Sequence, residues 1–278
     1  VRAVWLRGRD HSELGAIETC AEDVAALALS IGGAKKVYAH TDPNEDGALF
    51  ALGAGGTLLA VADGHGGVDA SEAALACVLE SLAPGWISSE LPLRGAWEEQ
   101  ALSGLAACEA AILKRAASGG RRLSRTTLAI AIVRPTEGLL FFVSIGDSHL
   151  YQLRGDTALD LAGGRSVSGK LFFLGMGRGS LALRERCVLG TAALAGIRAV
   201  VLATDGLSER GLGVDDPAQT VAQVSARAAE VPGTLRALET CRGLVQAALD
   251  AHRRNASGDN VAAAVAWLEP SERVSHVR

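Results

Sequence analysis

Six short apolar runs punctuate the chain, each closed by a polar or turn cluster. They are Thr57–Ala62 (TLLAVA), Thr127–Val133 (TLAIAIV), Leu139–Ile145 (LLFFVSI), His149–Leu153, Ile197–Ala203 (IRAVVLA) and Val261–Trp267. Runs this continuous predict strands covered on both faces. Between them lie alanine-rich stretches with apolar residues three and four apart: Asp69–Leu82, Arg94–Ala117, Pro217–Glu230 and Thr234–Arg253. That spacing predicts amphipathic helices, with Asp69 or Ser71 as N-cap of the first. Pro84-Gly85 and Pro232-Gly233 predict chain breaks between the helices of each pair. Paired helices between groups of strands, without strict βαβ alternation, predict an α+β fold with sheets flanked by helical layers. Residues before about Lys35 declare no element, and Gly163–Gly169 (GGRSVSG) reads as a small flexible loop. With no internal repeat or long linker, residues 1–278 are expected to form one domain, with its motifs at about 35–268.

A chain of 278 residues, 49% of them hydrophobic, can bury a large core without disulfides or structural zinc. Its net charge of −4 argues against a sequence-blind nucleic-acid binder. The basic run Arg121-Arg122, followed by Arg125, is too small to reverse that and reads as a solvated loop. The cysteines (Cys20, Cys77, Cys108, Cys187 and Cys241) are scattered and contain no Cys-x-x-Cys pair, so buried thiols in a reducing compartment are expected. No stretch reads as a signal peptide or a bilayer span, and a soluble cytoplasmic protein with no membrane partner is the expectation. Because it opens on Val1 rather than Met, the chain is also read as a piece of something longer.

The candidate chemistry lies where the strands end. Asp63 follows LLAVA, Asp205 follows VVLAT, Asp259 precedes VAAAVAW, Asp147 sits between LLFFVSI and HLYQL, and Glu45-Asp46 precede GALFAL. Taken singly, each has a plain reading. Asp63-Gly64 and Asp205-Gly206 are turn dipeptides, Gly146-Asp147 is a hairpin tip, Glu45-Asp46 a solvated loop and Asp259-Asn260 a strand start. Taken together, carboxylates repeated at one kind of place can converge, and converging carboxylates repel unless a cation sits among them. An all-oxygen set suits Mg²⁺ or Mn²⁺ rather than Zn²⁺, and two such ions activate water for in-line attack on phosphorus. His65, two residues beyond Asp63 in DGHGG, is a packed or surface histidine by default, and beside a metal ligand a candidate general acid.

The segment LAVADGHGG at Leu59–Gly67 resembles the signature of the type 2C protein serine/threonine phosphatases. NED at Asn44–Asp46, SRTT at Ser124–Thr127, IGDSHLY at Ile145–Tyr151, VVLATDGLSE at Val200–Glu209 and SGDN at Ser257–Asn260 follow in that family's order. The resemblance implies a four-layer αββα sandwich, two antiparallel sheets flanked by helix pairs. It implies metal-dependent hydrolysis of phosphoserine and phosphothreonine in proteins, opposing a Ser/Thr kinase, with Mn²⁺ or Mg²⁺ as cofactor. By the same resemblance Asp63, Asp205 and Asp259 are metal ligands, with Asp63 bridging two ions. Glu45 and the Gly64 carbonyl lie around the second ion, Asp46 orients waters on the metals, Asp147 serves a third, weaker ion, and Asn260 neighbours the last ligand. His65 is the implied general acid.

The departures are as informative. The arginine that grips substrate phosphate in the family, four residues before the Glu of the Glu-Asp pair, is Thr41 here, beside His40. These two are taken as the substrate-binding positions. GDSR has become Gly146-Asp147-Ser148-His149, and the usual Asp-His-Ser segment after it is absent from a short Arg154–Lys170 loop. A regulatory pseudophosphatase and a hydrolase of small phosphate esters therefore stand as alternatives. Gly175–Gly179 (GMGRG) lacks a full dinucleotide loop, no P-loop is present, and Ser148 and Ser208 lack the G-x-S-x-G elbow.

Overall fold

The computed structural model describes residues 1–36, 40–88, 92–119, 124–162, 171–176 and 182–268. Its strands are β1 (Arg2–Arg7), β2 (Glu18–Glu22), β3 (Ala25–Ser30), β4 (Gly47–Gly53), β5 (Gly56–Ala62), β6 (Gly64–His65), β7 (Arg125–Thr126), β8 (Leu128–Arg134), β9 (Leu139–Ile145), β10 (His149–Arg154), β11 (Thr157–Asp160), β12 (Val188–Ala193), β13 (Ile197–Ala203) and β14 (Val261–Trp267). Its α-helices are α1 (Asp69–Cys77), α2 (Ala83–Trp86), α3 (Trp97–Gly119), α4 (Leu183–Arg186), α5 (Pro217–Ala228) and α6 (Gly233–Asn255). One antiparallel sheet runs β1-β4-β5-β8-β9-β12, a second runs β11-β10-β13-β14-β3-β2, and β6 pairs with β7 in a small ribbon.

Three apolar layers hold these elements together, and the alternation of side chains along the strands creates them. In β5, Leu58, Ala60 and Ala62 face the helices α1 and α3, while Leu59 and Val61 face the other sheet. In β14, Ala262, Ala264 and Ala266 face the first sheet, while Val261, Ala263, Val265 and Trp267 face α5 and α6. Each inner strand is apolar on both faces because both are covered, so the runs show no polar alternation. The result is the expected αββα sandwich. Alanines line the inner face of β14 (Ala262, Ala264, Ala266) and part of that of β8 (Ala129, Ala131), while β5 and β13 present Leu59, Val61, Val200 and Leu202.

Four expectations need correction. Gly146-Asp147 is not a hairpin tip: β9 belongs to the first sheet and β10 to the second, so the chain crosses between sheets there. Gly146 makes the crossing at φ +103°, with its Cα pressed on Thr127. Neither Asp69 nor Ser71 caps α1. Val68 occupies that place without a side-chain cap, Ser71 Oγ donates to the Glu45 carbonyl at 2.7 Å, and Asp69 pairs with Arg115. Pro84-Gly85 does not break the helix. A π turn at Val78–Leu82 leads into α2, where Pro84 lies in the first turn and its missing N–H is harmless. The section before Lys35 supplies β1, β2 and β3 rather than remaining irregular. The proposed Gly163–Gly169 loop lies outside the described residues, as do Arg121-Arg122.

The topology also fixes where the acidic residues meet. The register sets the start of β4 beside the end of β5, and the start of β10 beside the end of β13. It sets the start of β14 beside the end of β3. Every candidate carboxylate therefore lies at the same end of the sandwich, contributed by both sheets.

Candidate metal centre

Two groups of carboxylates converge there. Asp63, Asp147 and Asp205 form one, and Asp205, Glu209 and Asp259 form the other. In each, one oxygen per residue lies within 4.8 Å of the others. Asp205 belongs to both groups. It starts a short 3-10 turn, Asp205–Leu207, directly after β13. Gly206 in that turn packs against the Asn260 backbone, which brings the Asp205 and Asp259 segments together. Glu209 was not among the expected site residues, although it ends the VVLATDGLSE motif. Its amide donates to the Asp205 carbonyl at 2.6 Å, the four-residue return that carries its side chain back to the cluster.

The electrostatics are those of an acidic cluster that a cation would stabilise. Burial, then Asp63, pushes both Asp147 and Asp205 above the ordinary carboxylate range. Asp46 rises for the same reasons, although Thr204 Oγ1 donates to its Oδ2 at 2.7 Å. Burial, then Asp259, pushes Glu209 up to about 7. Asp63 Oδ2, Asp147 Oδ1 and Glu209 Oε2 are buried oxygens without a hydrogen-bond partner. Orphaned acceptors of this kind are rare in folded proteins, and converging ones are satisfied by a metal. Oxygen donors alone suit Mn²⁺ or Mg²⁺, so the residues fit the implied ions.

The flanking residues divide into those that join the cluster and those that do not. His65 Nε2 lies 3.2 Å from Asp63 Oδ2, close enough for charge contact but off line for a hydrogen bond. Burial works against its imidazolium, yet Asp63 outweighs that and raises its pKa. The imidazole packs edge-on against Phe173 at 4.7 Å, and the Arg125 guanidinium stacks on the Phe173 ring. Arg125 is also the cross-strand partner of His65 in the β6–β7 ribbon. Gly64, between Asp63 and His65, has its Cα against the Glu45 carbonyl, where no side chain fits. Glu45 gives its carboxylate to backbone amides: Oε1 accepts from Thr41 at 2.8 Å and Asp42 at 2.9 Å, and Oε2 from Gly66 at 3.1 Å. It belongs to neither carboxylate group. His40 and Thr41 lie exposed on the segment leading to it, with Thr41 beside Gly67.

Two further side chains were not foreseen in these places. Lys36, from the connection between β3 and β4, sends its Nζ 2.9 Å from Asp259 Oδ1 and 2.7 Å from Asn260 Oδ1. His149, which stands where the family carries arginine, bridges Asp160 Oδ2 (2.6 Å from Nδ1) and Ser208 Oγ (2.5 Å from Nε2). It thereby ties the edge strand β11 to the loop that carries Asp205 and Glu209.

A family model described as protein phosphatase 2C matches residues 35–251. No curated protein matches the chain in sequence. Among solved structures, a bacterial serine phosphatase is similar with TM-score 0.63 at 20% identity, covering 89% of this chain and 98% of that one. The catalytic domain of the serine threonine protein phosphatase PstP, solved with two manganese ions, is similar with TM-score 0.58 at 23% identity, covering 91% and 99%. PppA of Pseudomonas aeruginosa gives TM-score 0.60 at 22% identity, covering 90% and 100%. At such identities the likeness speaks for the fold.

Proposed function

We infer the roles of these residues from one premise: the chain belongs to the protein phosphatase 2C family, the metal-dependent protein serine/threonine phosphatases. The convergence of five carboxylates, three with orphaned buried oxygens, carries the reading. Asp63, Asp205 and Asp259 would hold two divalent ions, with Glu209 beside them and Asp147 at the place of a third. Bound there, the ions supply an activated water and neutralise the charge that develops on the phosphoryl oxygens. Asp46, buried and bonded to Thr204, orients water from behind the cluster. Glu45 shapes the loop that presents Thr41 and Gly66, through its three amide contacts. The Gly64 carbonyl would be a ligand toward the second ion. His65, held between Asp63 and Phe173, would hand a proton to the leaving oxygen.

Residues 1–278 would act as one catalytic unit, a reading supported by β1 and β3 pairing with β4 and β14. Phosphoproteins made by an opposing Ser/Thr kinase are the proposed substrates. The free thiols of all five cysteines support a reducing, cytoplasmic setting. No helix among the described residues is long and apolar enough to cross a membrane. Threonine at position 41 favours a second reading, a silent binding module, which the orphaned oxygens oppose. The deciding assay offers p-nitrophenyl phosphate, a small phosphate-ester panel and phosphoserine peptides with Mn²⁺. Turnover of the peptides that vanishes with EDTA is expected. Turnover that survives thorough chelation, or none with any substrate, overturns the reading.

His65→Ala separates proton donation from metal binding. General acid catalysis is worth about 10²–10⁴-fold, and a good leaving group needs little of it. Phosphoserine hydrolysis is expected to fall by about 10²-fold and p-nitrophenyl phosphate hydrolysis by less than about tenfold, with Mn²⁺ affinity unchanged. Equal slowing of both substrates counts against the role.

A further inference from the structure

Lys36 stands out because an ammonium group is built into the place where the aspartates need a cation. Its side chain is 7% exposed, so it is not a solvated surface lysine folded back by chance. It reaches Asp259, a member of one carboxylate group, and the adjoining Asn260 at once. Asp46 and Asp63 act on it electrostatically from the first sheet. Asn260 is itself held in place: its Oδ1 accepts the Glu45 amide at 2.8 Å, and its Nδ2 donates to the Ile31 and Pro43 carbonyls at 3.1 Å. Lys36 thus docks on a pre-formed acceptor pair rather than drifting among acids.

We propose that Lys36 is a tethered counter-ion of the metal centre, which stabilises the metal-free cluster and, by sharing Asp259, lowers the affinity for divalent ions. The inference rests on the metal-centre reading given above. Two cations on one carboxylate repel, and each neutralises charge that the other would otherwise use. A fixed ammonium also lets the cluster fold in the absence of metal, since buried carboxylates without any cation are expensive to assemble. The lysine would therefore set the divalent concentration at which the site fills, instead of gripping substrate.

The test uses the full chain, stripped with EDTA, as wild type, Lys36→Met and Lys36→Gln. Lys36→Gln keeps a donor for Asn260 and serves as the measured variant if Lys36→Met does not fold. Mn²⁺ affinity is read by calorimetric titration and metal-free stability by thermal melting at pH 8. Loss of the charge is expected to tighten Mn²⁺ binding by about tenfold and to lower the metal-free melting temperature by about 3 °C or more. Unchanged affinity, or weaker binding in both variants, overturns the proposal, the latter by showing that Lys36 organises the ligands. A wild type that binds no Mn²⁺ overturns the metal centre itself and this inference with it. Wild-type binding with unaltered variants overturns this inference alone.

Discussion

Asp205→Asn is expected to cut kcat/KM by about 10²–10³-fold while leaving the metal-free protein as stable as before or more so. Asp205 is the residue shared by both carboxylate groups, so its loss affects both. Asparagine preserves shape and removes one negative charge from the ligand set. A metal in such a site contributes several kcal/mol of charge stabilisation, and each 1.36 kcal/mol is a factor of ten. The expected loss in kcat/KM is about 10²–10³-fold, with Mn²⁺ affinity falling in parallel. Stability should move the other way. Burial, then Asp63, holds the Asp205 pKa above its ordinary value, so the folded chain without metal disfavours the charged form. A neutral amide removes that penalty. Turnover and metal-free melting temperature, measured on the same sample, decide the matter. Near wild-type turnover at saturating Mn²⁺ would falsify the assignment, and a markedly lower metal-free melting temperature would mean that the substitution had damaged the fold.

Gly206→Ala should separate the two segments that carry Asp205 and Asp259. A Cβ at Gly206 would fall far inside 3.0 Å of the Asn260 carbonyl oxygen, with the Val261 Cα behind it. Both are backbone atoms, so no side chain can swing aside. The seam has little slack. Thr204 exchanges hydrogen bonds with Ala262 at 3.0 and 2.9 Å, and His252 Nε2 lies 2.8 Å from the Gly206 carbonyl. Overpacking of this kind costs about 1–3 kcal/mol or more, roughly 2–10 °C in a domain of this size. A ligand displaced by about 1 Å costs about 10²-fold in rate. Gly85→Ala is the matched control, because its Cβ meets nothing within 4 Å. If Gly206→Ala melts and turns over like Gly85→Ala, the close approach has been misread.

The readable parts of the chain were those where one physical pressure acts alone. β9, β13 and β14 follow the apolar runs to the residue, because strands buried on both faces are apolar almost throughout, with Ser144 in β9 and Arg198 in β13 the exceptions. β3 escaped because its residues, AALALS, are alanine and leucine with no β-branched member, a composition that suits a helix equally well. β2 and β11 lie at sheet edges and are polar on one side. The sheet crossing at Gly146-Asp147 escaped because pairing is a long-range choice, and a two-residue link between strands fits a hairpin locally. At the site, Asp63, Asp147, Asp205 and Asp259 stood out through their place at strand ends. Glu209 lies beyond the strand, four residues past Asp205, where a glutamate is usually solvated. Lys36 precedes the motifs altogether, and nothing local reveals that β14 carries Asp259 to it.

The strand order of the second sheet has a consequence for the order of events at synthesis. β14 lies between β13 and β3, so the last of the described strands completes a sheet begun within the first thirty residues. A chain emerging from the ribosome can pair β4 with β5 and β8 with β9 early, since those partners are adjacent in sequence. It cannot bring Asp259 to Asp205 until more than 260 residues are out of the tunnel. No partial product can therefore assemble both carboxylate groups. Both carboxylate groups would come together in a single late step, and a nascent chain stalled before β14 would expose the unpaired edges of β3 and β13 to chaperones.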